Sequence, residues 1–242
     1  MKKSWIWWVP IGALSVATSV ALGNPFSGSN PQPGNLTWSG FSNSSVAATI
    51  SGDGGVTSEN VLAGQFQGFF DPASEADGAG AEADDFFRFF CIDLSQSALG
   101  GPLLYTRNLG VGDATNSAQL ARLFDAYYPN NGSFATADES AAFQLAVWEI
   151  WFDDDLSLLT GTFQATSSAP VLTWANTYLS AAASGPTPAG WTFYDFTSPD
   201  AQDYLSATYS VPLRTTPEPG TVILLCIAAL TAWAAMHRRQ TA

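Results

Sequence analysis

The stretch TADESAAFQLAVWEIWF, residues 136–152, decides the fold class. Thr136 followed three residues later by Glu139 has the spacing of a capping box, in which hydroxyl and carboxylate each satisfy a backbone amide at a helix start. Gln144, Val147, Trp148 and Trp151 then recur at i, i+3, i+4 and i+7, one stripe of a 3.6-residue period. The spacing predicts a helix to Phe152, apolar along that stripe except at Gln144. A carboxamide left unpaired in a core costs on the order of 1–3 kcal/mol. Something must therefore meet Gln144, and the simplest partner is nearby backbone.

Two further helices flank this one. Residues 116–127 set Leu120, Leu123, Phe124 and Tyr127 on one stripe before the turn Pro129-Asn130-Asn131-Gly132, and Pro170 opens a helix to Ala182 with Val171, Trp174, Ala175, Tyr178 and Leu179 on its buried side. Around them β-branched and aromatic runs between turn formers predict strands at 36–41, 46–50, 61–70, 86–94, 191–196 and 204–211, with a glycine-rich acidic loop over 71–85. The fold class is therefore α+β, a β-rich domain with a helical subdomain of about three helices. In the strand 86–94, period-2 alternation puts Phe87, Phe89, Cys91 and Asp93 on one face. Both faces of that strand are largely apolar, as in a central strand.

The ends of the chain carry addresses. Lys2 and Lys3, the apolar run from Trp5 to Val20 and the small residues Ala21-Leu22-Gly23 form a secretory signal peptide, residues 1–23, so the exported domain spans 24–215. Residues 216–242 hold Pro217-Glu218-Pro219, an uncharged segment from Thr221 to Met236 just short of ordinary spanning length, and the basic end His237-Arg238-Arg239. This order resembles the PEP-CTERM sorting signal of Gram-negative bacteria. The resemblance implies a C-terminal transmembrane sorting helix and an exosortase-type processing enzyme as partner. It also implies transient anchoring at the inner membrane, then release to the cell surface or the extracellular space.

Composition narrows the chemistry. A formal net charge of −13 argues against nucleic acid and anionic membrane surfaces as partners. With Cys226 in the tail, Cys91 is the sole cysteine of the exported part, so no internal disulfide forms there. With Lys2 and Lys3 in the signal peptide, the exported part has no lysine, and an activated acyl group would find no side-chain amine of its own protein. The sole histidine, His237, lies in the tail, which excludes Cys-His and Ser-His-Asp hydrolysis. Asp153-Asp154-Asp155 lacks the alternating spacing and loop glycine of an EF-hand, so no metal site is expected.

Phe-Gln-Leu-Ala-Val-Trp at 143–148 resembles the Thr-Gln-x-Ala-Val/Ile-Trp signature of bacterial thioester domains, and Phe90-Cys91-Ile92-Asp93 resembles their aromatic-cysteine block. The resemblance implies an internal thioester between Cys91 and Gln144, with Ala146 and Trp148 at supporting positions. Phe143 stands where the signature has threonine, which removes a hydroxyl beside the glutamine. An unperturbed thiol has a pKa of about 8.5, so formation needs a base, and Asp93 or Glu149 is placed to be one. Phe89, Phe90, Trp148 and Trp151 are suited to keep water from the product. The function expected is covalent attachment to an amine-bearing surface or matrix target, a single-use reaction without turnover or cofactor, and so not an enzyme. The alternative is a non-reactive structural protein of the exopolysaccharide or biofilm matrix.

Overall fold

A computed structural model describes residue 26 and residues 29–52, 56–73, 86–111, 113–153 and 155–210. The segments read from sequence as a signal peptide and as a sorting tail with Pro217, Glu218 and Pro219, and most of the acidic loop, lie outside the described residues. Nine strands and three helices are described, in the order β1 (Gln32–Phe41), β2 (Val46–Gly52), β3 (Val56–Ala63), β4 (Phe66–Pro72), β5 (Phe86–Cys91), β6 (Gly101–Leu109), α1 (Ala114–Tyr127), α2 (Ala137–Phe152), β7 (Gln164–Thr166), α3 (Ala169–Ala182), β8 (Trp191–Thr197) and β9 (Tyr204–Tyr209). The architecture is α+β. Six strands close an antiparallel barrel in the order β1-β4-β5-β9-β8-β6, and β3-β2-β7 form a separate small sheet. Among the described residues no helix is long and apolar enough to cross a membrane.

Aromatic rings fill the barrel. Phe87 and Phe89 lie with ring centroids 4.8 Å apart, Phe87 meets Phe196 at 4.9 Å, Phe89 meets Tyr204 at 4.6 Å, and Phe70 meets Phe196 at 5.0 Å. Tilted and edge-on arrangements such as these suit the ring quadrupole. The space is tight enough that β4 needs a glycine: a Cβ on Gly68 would run into the Thr37 carbonyl oxygen of β1 and crowd the Phe89 ring. Across β5 the next ring, Phe90, points the other way and packs on Phe143 of α2 at 5.0 Å and Phe124 of α1 at 5.9 Å. The last residues of β5 are thus covered on both faces, as expected for a central strand.

Helix α2 is the centre of the molecule. Its cap forms as the sequence predicts, with Thr136 Oγ1 accepting from the Glu139 amide and the Glu139 carboxylate accepting from the Thr136 amide. The stripe reading was too narrow, because every residue from Ser140 to Ile150 is buried. The helix touches β2, β3, β5, α1 and α3, so no side of that stretch is left for solvent.

Two strands were not legible and one was split. β6 pairs with β1 and β8, yet only Tyr105 and Arg107 along it are buried, so its sequence shows no alternation of apolar residues. β7 has three residues and exists through its pairing with β2, Ile50 opposite Ala165. The run 61–70 is two strands in different sheets. The Gln65 amide donates to Ser140 Oγ at 2.8 Å and the Gln65 carbonyl accepts from the Ser42 amide at 2.8 Å, which turns the chain from the small sheet into the barrel.

Candidate functional site

That turn leaves a gap in the barrel ladder. β4 pairs with β5 from Phe69 opposite Phe86 to Phe66 opposite Phe89, and two more steps of the same register would set Gly64 against Cys91. The chain has already departed there, so the backbone amide and carbonyl of Cys91 on the β4 side lack a strand partner. On the other edge β9 continues, with Cys91 opposite Tyr204 and the Ile92 amide donating to the Asp203 carbonyl at 3.0 Å. A buried, unpaired peptide group is unfavourable, and a side-chain carboxamide has the same donor and acceptor as a peptide.

Gln144 fills the gap. Its Oε1 accepts from the Cys91 amide at 3.0 Å and its Nε2 donates to the Cys91 carbonyl at 2.9 Å. The carboxamide, 1 % exposed, acts as a one-residue extension of β4, and the two positions singled out in the sequence lie side by side. The arrangement has a chemical side as well. An N–H on the carbonyl oxygen draws electron density from the amide carbon and is aimed at the oxygen that would carry charge if a nucleophile added there.

Cys91 is itself 1 % exposed, and its Sγ donates to the Asp93 carbonyl at 3.0 Å. Burial pushes the thiol well above its ordinary range; hydrogen bonding at the Asp93 backbone and the indole of Trp148 act in the opposite sense, and the charges of Asp93 and Asp203 add to the rise. The Trp148 Nε1–H has no hydrogen-bond partner within ordinary geometry, which leaves it available to an anion at the sulfur. Because the folded state holds the proton more tightly than the unfolded chain, this group's contribution to stability is complete below about pH 8.5 and falls as the pH rises above it. Any molecule that keeps a free thiol should therefore alkylate slowly when native, with a rate rising about tenfold per pH unit through pH 9. Iodoacetamide labelling followed by mass spectrometry reads this, and a rate that levels off near pH 8.5 would mean an ordinary thiol.

The supporting residues divide. Asp93 offers its carbonyl to the sulfur, while its carboxylate oxygen is held by the Ser95 amide and hydroxyl, both at 2.7 Å. β5 ends at Cys91, so the strand face that was to carry Asp93 beside the thiol does not extend that far. Ala146 is fully buried in α2, and Trp148 lies one turn after Gln144 on the same side of the helix. Glu149 does not serve as base to Cys91. Position 149 is about 140° around the helix from 144, and its carboxylate accepts from the Ser157 amide at 2.7 Å near Asp153 and Asp155. Burial there, with Asp155 and Asp153 alongside, pushes Glu149 up to about 8. Trp151 is likewise away from the thiol, in a recess with Asn116 and Thr162.

Cys91 and Trp148 form part of the wall of a cavity of about 300 Å³, with Trp38, Phe41 and Phe66 from the barrel and Glu59 from β3. Gln202 also lines it and ties the site together, its Nε2 donating to the carbonyls of Asp93 at 3.0 Å and Gln96 at 3.2 Å. Sequence reasoning missed Gln202 and the cavity wall, because they meet Cys91 only through the pairing of β5 with β9 and the closure of the barrel.

No family model matches the chain, and no curated protein matches it. Among solved structures, the N-terminal domain of the Streptococcus pyogenes pilus tip adhesin Cpa is similar at 14% identity, covering 78% of this chain and 100% of that chain with a TM-score of 0.43. At that level of likeness the chemistry of the site rests on its own atoms.

Proposed function

We propose that Cys91 and Gln144 condense to an internal thioester that serves for covalent attachment to an amine-bearing surface or matrix target. The observation that carries this reading is the reciprocal hydrogen-bond pair between the Gln144 carboxamide and the Cys91 backbone. It holds the amide against the backbone of the residue that bears the thiol and polarises the carbonyl that the sulfur would attack. In the first step a Cys91 Sγ–C bond forms at the Gln144 side-chain carbonyl carbon, the carbon–nitrogen bond breaks, and the nitrogen leaves as ammonia with the thiol proton. In the second an amine of the target attacks that carbon, the carbon–sulfur bond breaks, an amide forms and the thiol is restored with the amine's proton. Nothing turns over and no cofactor is used.

The surroundings suit this use. The aromatic wall of the cavity excludes bulk water from an acyl group, and Glu59 at its rim, on a chain of net charge −13, favours approach of a cationic amine. The exported part has no lysine to be consumed in self-reaction. The same reading puts the protein at the cell surface or outside the cell, after handling by an exosortase-type enzyme.

A second reading has its own support: the same two hydrogen bonds give both polar atoms of the Gln144 carboxamide a partner, as a structural replacement for a missing strand residue, and the buried thiol stays protonated. That is the non-reactive matrix protein. Intact-mass spectrometry of the exported protein separates the two. The thioester reading expects a mass short by one ammonia, uptake of one methylamine with appearance of an alkylatable thiol, and neither change in Cys91→Ala. The full unmodified mass, with a thiol that alkylates on unfolding, would overturn it in favour of the structural role.

A further inference from the structure

At the far end of α2 lies a second group of side chains, unconnected with the thiol. Glu149, Asp153 and Asp155 each offer a carboxylate oxygen, and these oxygens all lie within 4.8 Å of one another. Glu149 is fully buried, one of its oxygens accepts from the Ser157 amide, and the other, Oε2, has no hydrogen-bond partner. A buried carboxylate oxygen is rarely left without a partner, and this one belongs to a side chain aimed at two further carboxylates.

The position makes the repulsion worse. The last turn of a helix carries a partial negative charge and favours lysine or arginine, yet α2 has no basic residue there and ends on Asp153 as its cap. The chain after it is wrapped around the carboxylates. Asp153 accepts from the amides of Thr162 and Phe163, and Asp155 accepts from the Ser157 amide at 2.9 Å and the Thr160 hydroxyl at 2.8 Å. A Cβ on Gly161 would collide with the Asp153 carboxylate, so the loop approaches as closely as a glycine allows.

We propose that Glu149, Asp153 and Asp155 hold a calcium ion at the C-terminal end of α2. An all-oxygen, carboxylate-rich donor set selects a hard cation, and calcium accepts the irregular geometry and variable coordination number of a loop, whereas magnesium demands a near-ideal octahedron and gives up its own waters reluctantly. The linear spacing of the aspartates hid the site because its buried ligand comes from the preceding helical turn, four residues before Asp153. The ion would fix the loop 153–163, whose Phe163 ring lies 6.3 Å from Trp148 and 6.2 Å from Phe152. It would thereby brace the helix from which Trp148 reaches the cavity.

The full chain in mild detergent, stripped with EGTA, tests this through its melting temperature and through terbium luminescence sensitised by Trp148 and Trp151. The expected result is a rise of roughly 5–10 °C when calcium is a hundredfold above its Kd, together with terbium emission that calcium displaces. Both responses should be lost in Glu149→Gln and Asp155→Asn, which keep the acceptors for the Ser157 amide. A melting temperature unmoved by calcium to about 10 mM, with no displaceable terbium signal from the wild-type chain, would overturn the proposal. So would variants that keep the full response. Should one variant fold poorly, the wild-type terbium titration decides alone. If Glu149 is neutralised by a proton instead, Glu149→Gln is expected to leave stability independent of calcium in both forms, which also overturns it.

Discussion

Gln144→Leu is expected to destabilise the protein by about 2–6 kcal/mol, because it leaves both the amide and the carbonyl of Cys91 buried without partners. The two side chains have similar volume, so little of the loss comes from a cavity, and the apolar surroundings of α2 accept leucine readily. What is lost is the one-residue ladder between helix and strand, the two bonds of 3.0 and 2.9 Å. Two groups at about 1–3 kcal/mol each set the range. Gln144→Glu is the informative companion. Its ionised carboxylate can still accept from the Cys91 amide but faces the Cys91 carbonyl oxygen with no hydrogen to share, so that variant should be near wild type at low pH and lose stability as the pH rises. Urea unfolding of each form at pH 4 and pH 8 measures both effects. A Gln144→Leu midpoint within error of wild type would mean that the carboxamide does not close the barrel edge. A thioester would change the comparison in a recognisable way, since the wild-type chain would then carry a covalent link between β5 and α2 that no variant has.

The parts of the fold that were legible are those whose signal is local. The capping box at Thr136, the stripe of α1 and the proline of α3 are short-range features, and the helices stand within a few residues of where those features put them. β5 was readable from its aromatic run, though not its end, because Ile92 and Leu94 are buried beyond the last strand residue and mimic its continuation. β6 and β7 are products of pairing, the first with mostly exposed or half-buried side chains and the second three residues long, and neither has a pattern of its own. The same division runs through the site. Residue type marked Cys91 as a solitary thiol and Gln144 as a polar interruption of an apolar stripe, the resemblance of their two blocks to thioester domains paired them, and they meet in space. Glu149 was misassigned because adjacency in sequence says nothing of direction on a helix, where five residues are more than a full turn. Gln202 and the barrel wall could not be found without knowing which strands are neighbours.

Phe143→Ala should lose about 3–5 kcal/mol, for a reason that also explains why this position is not threonine. The ring has no exposure and lies 5.0 Å from each of Phe90, Phe124 and Phe134, with Tyr128 and Tyr178 at 5.9 and 5.8 Å. It is the piece of α2 that joins β5 to α1 and α3, and its removal leaves a void among rings too rigid to collapse into it. Phe143→Thr should do nearly as badly, since the hydroxyl would sit among ring faces with only its own helix backbone to accept its proton. The departure from the threonine of the resembling signature is thus a packing choice: an aromatic junction occupies the place of a polar side chain. If Phe143→Thr nevertheless folded with wild-type stability in urea, the pocket would have to contain a polar partner, and position 143 could then take part in orienting Gln144. With a loss of several kcal/mol, orientation of the carboxamide falls to the Cys91 backbone alone, through the two hydrogen bonds that close the barrel edge.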